Sequence, residues 1–510
     1  MTKRTPAFIF LFISIVVGAF IGLAFLFPDN GVELPYGFRF KYPSIDKLIN
    51  HEKPVYADVS GAIHMAESIS SSIETEVESF IHDVLQDSTE DTSETVPIYQ
   101  FVNVDSLRAA EKYLQPIQFP QNGAVVLNHF FKALDKATSK GEKTHVIHYG
   151  DSQIEGDRMT SYIRDRLQKR FGGYGVGLVP ASNINQVPFI GQENSENWFR
   201  YPAFFKEGAT GETDRYGAMV AYSSYTPFPT NLAESELTQA WVRYNSESAI
   251  FNSSKKFRQV RFFYGPVYDR VKMSFPVGDT IFADYFAGDA PFNKLLLDFN
   301  EPITEVELRF ESKLSPQIYG VSLEGRGGVQ VDNIAMRGSS GTVFHNMDFE
   351  ILKSMLDELN TSLIIMQFGG NVMPYMETEN QASDYGRYFL RQLQILKKAR
   401  PNASIIVIGP ADMSVKMENY YVTYPLMANV REALKNAAFK ADAGYWDMFL
   451  AMGGENSMPS WVTAVPPLAA SDYTHFTPRG ARVISEFFYK ALILEYESYK
   501  NQQLAQNSAQ

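Results

Sequence analysis

The fold turns on one stretch, Thr144-His145-Val146-Ile147-His148-Tyr149-Gly150-Asp151-Ser152-Gln153. An apolar run ends at a glycine. A helical pattern follows over Arg158–Arg170, with Met159, Ile163 and Leu167 on one face. Strand, turn and helix in that order form the repeating unit of a parallel sheet. Ser152 stands at the carboxyl end of the strand, where open α/β sheets hold their ligands. Taken alone, the same residues are also an ordinary strand-to-helix turn in which Asp151 or Ser152 caps the helix.

The pattern resumes near Val329. Strand candidates Val329–Met336, Ser362–Phe368, Ser404–Ile408 and Gly444–Met448 alternate with helical stretches. Over Ser383–Lys398, Tyr385, Phe389, Leu393 and Leu396 share a face. The last helix starts at about Pro478, a first-turn position where the missing N–H costs nothing. The alternation predicts a parallel sheet with helices on both faces. Between the two parts the text changes: residues 189–319 hold 26 aromatics, about 20 % against 14 % for the whole chain. Val271, Met273 and Phe275 alternate with Arg270, Lys272 and Ser274, as Val306, Leu308 and Phe310 do with Glu305, Glu307, Arg309 and Glu311. Period two means antiparallel strands, so a β-sandwich is expected to interrupt the α/β domain after its first strand–helix unit.

Three more strand ends or loops carry polar groups suited to chemistry. Ser362–Phe368 runs into Gly369-Gly370-Asn371, and the Asn371 amide can donate to a developing oxyanion. Val329–Met336 runs into Arg337-Gly338-Ser339, where the Gly338 N–H is a second donor. Asp472-Tyr473-Thr474-His475 lets one carboxylate orient an imidazole on a single turn. Each also reads as a plain turn, and with eight histidines a stray Asp-x-x-His is unremarkable.

A net charge of −12 argues against a nucleic-acid partner. The absence of cysteine excludes a disulfide framework, a thiolate zinc site and a cysteine nucleophile. Lys3 and Arg4 precede an uncharged run from Pro6 to Phe27, long enough to span a bilayer. Charge placement keeps the N-terminus inside and about 480 residues outside; the other reading is a long, cleaved signal peptide. Residues 29–65 show no clear period. From Ala66 to Val96 there are nine acidic residues and no Lys or Arg, with Ile69, Ile73, Val77, Phe80 and Val84 at helical spacing. That segment reads as a solvated spacer with one short amphipathic helix, with docking to a basic partner as the alternative. The expected layout is an anchor over 1–28 and a spacer over 29–110. The α/β domain follows over 111–185 and 326–510, with the sandwich over 186–325.

Ser152, Gly338, Asn371 and then Asp472 with His475 occur in an order that resembles the SGNH (GDSL-type) esterase and acyltransferase superfamily. The resemblance covers Thr144–Pro180 and Val329–Glu495 and implies a flavodoxin-like sheet. It implies that Ser152 is the nucleophile, His475 the general base and acid, and Asp472 the orienting carboxylate. The Ser152 and Gly338 N–H groups and the Asn371 amide would form the oxyanion hole. Two features depart from the pattern. Val372 replaces the acidic residue that often follows the asparagine, and 186 residues separate Ser152 from Gly338. The split layout is similar to bacterial O-acetylpeptidoglycan esterases, whose insert resembles a carbohydrate-binding module. On that resemblance Trp198, Tyr201, Tyr222, Tyr225 and Trp241 are candidate glycan contacts, unless the aromatics only build the sandwich core.

No cofactor or metal is expected: His145 and His148 on the first strand suggest a metal pair, but His148 reads instead as packed or hydrogen-bonded near the site. The resemblance implies a serine esterase that removes O-acetyl groups from peptidoglycan or another cell-envelope polysaccharide. One alternative is an O-acetyltransferase working with a membrane-bound O-acyltransferase. A second is a non-catalytic, anchored glycan-binding protein. The expected location is the bacterial inner (cytoplasmic) membrane, single-pass, with the catalytic part periplasmic or extracellular.

Overall fold

Twenty-two residues without a charged side chain form one uninterrupted helix, α1 (Thr5–Leu26), which is long and apolar enough to cross a membrane. The computed structural model describes residues 5–26, 32–34, 38–40, 54–69, 103–110, 114–182, 190–204, 214–227, 235–277, 280–286 and 288–508. They fall into two units, Met1–Val55 and Tyr56–Gln510. The first holds α1 and a small hairpin of Val32–Leu34 with Phe38–Phe40.

The second unit is built on five strands: β1 (Lys143–Gly150), β2 (Gly328–Ala335), β3 (Thr361–Gln367), β4 (Ser404–Ile408) and β5 (Gly444–Trp446). All pair in parallel, in the order β2-β1-β3-β4-β5. This is the flavodoxin-like order, and its switch point lies between β1 and β3. The helices are α2 (Asn128–Lys140), α3 (Thr160–Phe171), α4 (Phe349–Glu358), α5 (Glu379–Ala399), α6 (Met427–Lys440) and α7 (Pro478–Ser508). Successive strand residues point to opposite faces. Val146 packs with Phe131 of α2, Ile163 of α3 and Phe488 of α7, whereas Ile147 packs with Leu352, Phe389 and Leu434 of α4, α5 and α6. Both faces are covered, which is why these strands read as apolar runs without alternation.

Two predicted boundaries move, each for a local reason. Helix α5 starts four residues before Ser383 because Thr378 and Gln381 form a reciprocal capping box. The predicted strand Gly444–Met448 stops at Trp446, because the Asp447 side chain accepts from the Leu450 N–H and caps the short helix Met448–Ala451. Residues 60–69, assigned to the spacer from sequence, form a helix whose Ala62, Met65, Ala66 and Ile69 join the same core cluster as Val146. Ile73, Val77, Phe80 and Val84 lie outside the described residues.

The described residues between 177 and 324 form two antiparallel sheets. One carries Asn293–Ile303, Phe257–Tyr264, Ile318–Glu324, Ala221–Ser224 and Phe199–Pro202 in that order, with Gly177–Val179 also paired to Ile318–Glu324. The other runs Thr280–Phe286, Val271–Val277, Glu305–Ser312, Thr238–Asn245 and Gly191–Asn194. Val271, Met273, Val306, Leu308 and Phe310 of the second face Val260, Phe262, Val321 and Leu323 of the first in a shared core. The inward positions are those the period of two predicts.

Buried charge joins the first of these sheets to the parallel sheet. The Glu324 carboxylate lies 2.5 Å from Lys143 Nζ, 2.8 Å from Arg261 Nε and 3.1 Å from His145 Nε2. His145 Nδ1 is 2.7 Å from Asp332 Oδ2. Burial opposes ionisation of Glu324, but Arg261, His145 and Lys143 outweigh it and hold the carboxyl far below the ordinary range. Burial likewise opposes the charge on His145, and Asp332 and Glu324 overcome it and raise its pKa.

Candidate active site

At the carboxyl end of β1 the chain makes a tight turn into Ser152. Ile154 packs closely over Gly150: a Cβ there would lie 2.9 Å from Ile154 Cδ1, so that side chain would have to shift. The turn is closed by Ile154 N–H donating to Asp151 O and Glu155 N–H to Ser152 O. Asp151 is buried, and its Oδ1 accepts from Gln153 N–H at 2.9 Å. Burial pushes the Asp151 carboxyl up to about 6, against the Gln153 N–H and the nearby His475.

Asp472 and His475 share one turn just before α7. Asp472 Oδ1 accepts from the Thr474 and His475 backbone N–H groups at 3.0 Å each, and Oδ2 faces His475 Nδ1 at 2.7 Å. Burial resists the carboxylate charge, but these donors prevail and hold Asp472 below its ordinary pKa. A proton on Nδ1 leaves the Nε2 lone pair free, and Nε2 lies 2.8 Å from Ser152 Oγ. Chain positions 323 residues apart are therefore joined into a Ser–His–Asp relay.

Donors for a developing oxyanion come from neighbouring strand ends. The Met336 N–H donates to Gly150 O at 2.7 Å and ties the loop after β2 to the Ser152 turn. In that loop Gly338 has φ +77°, a left-handed backbone, and the space on its Cβ side is open to 4 Å. The Asn371 amide follows β3 and donates one hydrogen to Ser339 O at 3.0 Å, which leaves its second hydrogen available. The Ser152 and Gly338 N–H groups have no acceptor among the described residues. The structure thus brings Ser152, Gly338, Asn371, Asp472 and His475 to one end of the sheet.

Other residues of this site carry no motif. Gln153 Nε2 donates to Thr474 O at 2.5 Å and links the nucleophile turn to the histidine turn. Tyr421, on the hairpin Ser414–Met417 with Tyr420–Thr423, stacks on Tyr473 with centroids 3.6 Å apart and planes within 7°. Asp412 sits at the base of that hairpin, mostly buried, and accepts from Thr423 Oγ1, Ser457 Oγ and Met458 N–H. The only sequence signal for any of these is Gln153's place next to Ser152.

His148 is buried, with Nε2 3.0 Å from Gln367 Oε1 and Nδ1 3.0 Å from Thr160 Oγ1. Burial pulls its pKa down to about 4, so the ring is neutral and belongs to the packing beneath the site. Among the described residues no group of three His, Asp or Glu side chains is placed to hold a metal ion.

The candidate glycan contacts divide. Tyr222 and Tyr225 are only 7 % and 1 % exposed, and their rings pack against Tyr201 and Phe310 respectively, so neither presents a face to a sugar. This corrects the sequence expectation for both. Trp198 is half-buried, wedged edge-on against Tyr225 and Phe310, with Nε1 donating to Trp241 O. Tyr201 is also half-buried. Trp241 lies on the outer face of its sheet and lines an open groove of about 480 Å³ with Gln239, Arg243, Lys272, Arg309 and Glu311.

No family model and no curated protein sequence matches this chain. Solved structures do. A peptidoglycan O-acetylesterase aligns with a TM-score of 0.56 at 18 % identity, covering 74 % of this chain and 98 % of that one. An acetyl xylan esterase aligns at 0.25 and 14 % identity over 32 % of this chain and 81 % of its own. A salicylyl acyltransferase from a tetracycline biosynthetic pathway aligns at 0.27 and 12 % identity over 62 % and 96 %. The first of these likenesses extends over most of both chains and shows a shared fold.

Proposed function

We propose that this protein, with the fold of an SGNH hydrolase, is a serine esterase that removes O-acetyl groups from a cell-envelope glycan. The observation that carries the reading is the Ser152–His475–Asp472 relay at the switch point of the sheet, beside three N–H donors. Ser152 Oγ attacks the acetyl carbonyl while its proton passes to His475 Nε2. The Asp472 carboxylate stabilises the imidazolium. Negative charge on the carbonyl oxygen is met by the Ser152 and Gly338 N–H groups and the Asn371 amide. Collapse breaks the bond to the sugar oxygen, which takes the proton from Nε2 and leaves acetyl-Ser152. Water then gives a proton to His475 Nε2 as it attacks the acetyl carbonyl; collapse breaks the bond to Ser152 Oγ, which takes that proton back from Nε2, and acetic acid departs and ionises to acetate.

The test is acetate release from a small acetyl ester and from acetylated peptidoglycan. Ser152→Ala and His475→Ala are each expected to lower kcat by at least about 10³, since the pair acts as one unit. Activity within tenfold of wild type in both variants overturns the reading.

A transferase would form the same acetyl-Ser152 and differ only in the second nucleophile. The apolar helix α1 favours that alternative, because a membrane partner would then deliver acetyl groups at the bilayer. Transfer to an added glycan acceptor much faster than to water would establish it. On the esterase reading the chain is anchored by α1 in the bacterial inner membrane, with the Tyr56–Gln510 unit on the outer side. Residues 186–325 then serve as an inserted glycan-contacting domain, with Trp241 as the contact.

A further inference from the structure

The catalytic turn lies on a half-exposed loop, and its shape is not one the chain adopts unaided. Tyr473, between Asp472 and His475, has φ +56°, a conformation L side chains hold only when their surroundings impose it. Within the turn, Tyr473 N–H donates to Ala470 O and Ala470 N–H to His475 O. Those bonds close the loop on itself but do not fix it against Ser152. Among the described residues, three further contacts brace it from outside. Gln153 Nε2 reaches Thr474 O from the nucleophile side. Ser414 N–H donates to Tyr473 O at 3.1 Å, and the Tyr421 ring lies flat on the Tyr473 ring.

Two of these three come from the hairpin Ser414–Thr423, and the hairpin is itself held at its base. Thr423 Oγ1 donates to Asp412 Oδ1 at 2.7 Å and accepts from Asn456 N–H at 2.7 Å, while Thr423 N–H donates to Asn456 Oδ1 at 3.0 Å. Asp412 Oδ2 in turn accepts from Met458 N–H at 2.7 Å. A continuous path of contacts therefore runs from the helix Ser457–Thr463 through Asp412 and Thr423 to Tyr421, then to Tyr473 and the histidine. None of the residues on this path before the histidine touches the reacting atoms.

We infer that Tyr421 is a positioning residue: by stacking on Tyr473 it holds the Asp472–His475 turn in the register that sets His475 Nε2 against Ser152 Oγ. The role rests on the esterase reading, and its geometric content, the His475–Asp472 contact, is observable without turnover. Misplacement of a catalytic group by about 1 Å costs on the order of 10² in rate. A ring is required but a phenol hydroxyl is not, since the contact is face to face.

The experiment uses the full chain in detergent, with kcat and KM for a small acetyl ester and the proton resonance of the His475 Nδ1–H···Asp472 bond as readouts. Tyr421→Ala is expected to lower kcat at least about tenfold with KM within twofold, and to broaden or remove that resonance. Tyr421→Phe should restore both. Tyr421→Leu, which keeps apolar bulk at the position, serves if the alanine variant does not fold, and should behave as the alanine variant does. A folded Tyr421→Ala with wild-type kcat overturns the inference. So does a loss of kcat with an unchanged resonance, or a rise in KM alone, which would make Tyr421 a substrate contact. If the wild type shows no turnover, the esterase reading fails, and the resonance still decides whether Tyr421 sets the turn.

Discussion

Replacing Asn371 with alanine tests the oxyanion hole, and the structure makes the expected loss larger than that of a single donor. Asn371 spends one amide hydrogen on Ser339 O at 3.0 Å and has the other free for the carbonyl oxygen of a bound acetyl group. Deleting a preorganised oxyanion donor typically costs about 10²–10³ in kcat. The alanine also releases the Ser339 carbonyl, and Ser339 follows Gly338, whose N–H is a second donor. One hydrogen bond is worth about 1 kcal/mol, so freeing that loop adds roughly a further fivefold. The combined expectation is a fall of about 10³ in kcat, measured by initial rates on a small acetyl ester. KM should change little, because the ground-state carbonyl carries no full charge to lose. Asn371→Asp is expected to be at least as damaging, since a carboxylate cannot donate and faces both the Ser339 oxygen and the developing anion. A kcat for Asn371→Ala within tenfold of wild type refutes the assignment of this amide to the oxyanion.

Removing the Glu324 carboxylate with Glu324→Ala strands Lys143, His145 and Arg261 around an emptied buried site. Equilibrium denaturation should show a loss of about 3–5 kcal/mol; a loss below about 1 kcal/mol would mean that the cluster does not bind the sheets together. Burial raises Asp151 to about 6 in the folded chain, above the ordinary aspartate value near 3.9 in the unfolded one. The folded state then holds this proton more tightly, so the contribution is complete below pH ~4 and is lost as pH rises to ~6. Relative to wild type, Asp151→Asn should therefore gain stability across that window, and a pH-independent difference between the two proteins would contradict the assignment. Trp241→Ala should weaken binding of the Ser152→Ala protein to insoluble glycan several-fold while leaving hydrolysis of a small ester by the Ser152 protein unchanged. Unaltered glycan retention removes Trp241 as a contact.

The sheet and the relay are legible in the sequence for one reason: both are written in short, local signals. Buried parallel strands need apolar runs, and their ends need Gly150, Gly338 and Asn371, residues that allow tight turns or offer an amide. Asp472 and His475 sit three apart because one turn must join them. The order of these blocks along the chain then follows from the order of the strands. What holds the blocks together is written differently. Gln153 reaches Thr474 across 321 positions, and Tyr421 meets Tyr473 as one tyrosine among 28. Contacts of that kind depend on where two loops land, and no spacing announces them.

The aromatic-rich segment shows the same limit from the other side. Period two separates the faces of Val271–Val277 and Glu305–Ser312 because only one face of each is covered. In Ala221–Ser224 every residue is buried, so alternation has nothing to report there. Tyr222 packs in the cluster that lies against α4, and Tyr225 in the core between the antiparallel sheets. A count of aromatics could not divide them, since the same ring serves as core or as sugar platform. The helix at 60–69 is a subtler case. Ala62, Met65, Ala66 and Ile69 repeat at three- and four-residue steps and are buried, while Glu67 between them stays exposed. The acidic run that begins at Glu67 masks an apolar stripe, most of which lies before it. Charge on one face of a helix is compatible with docking through the other, so the boundary between spacer and folded unit follows the buried stripe rather than the change in charge.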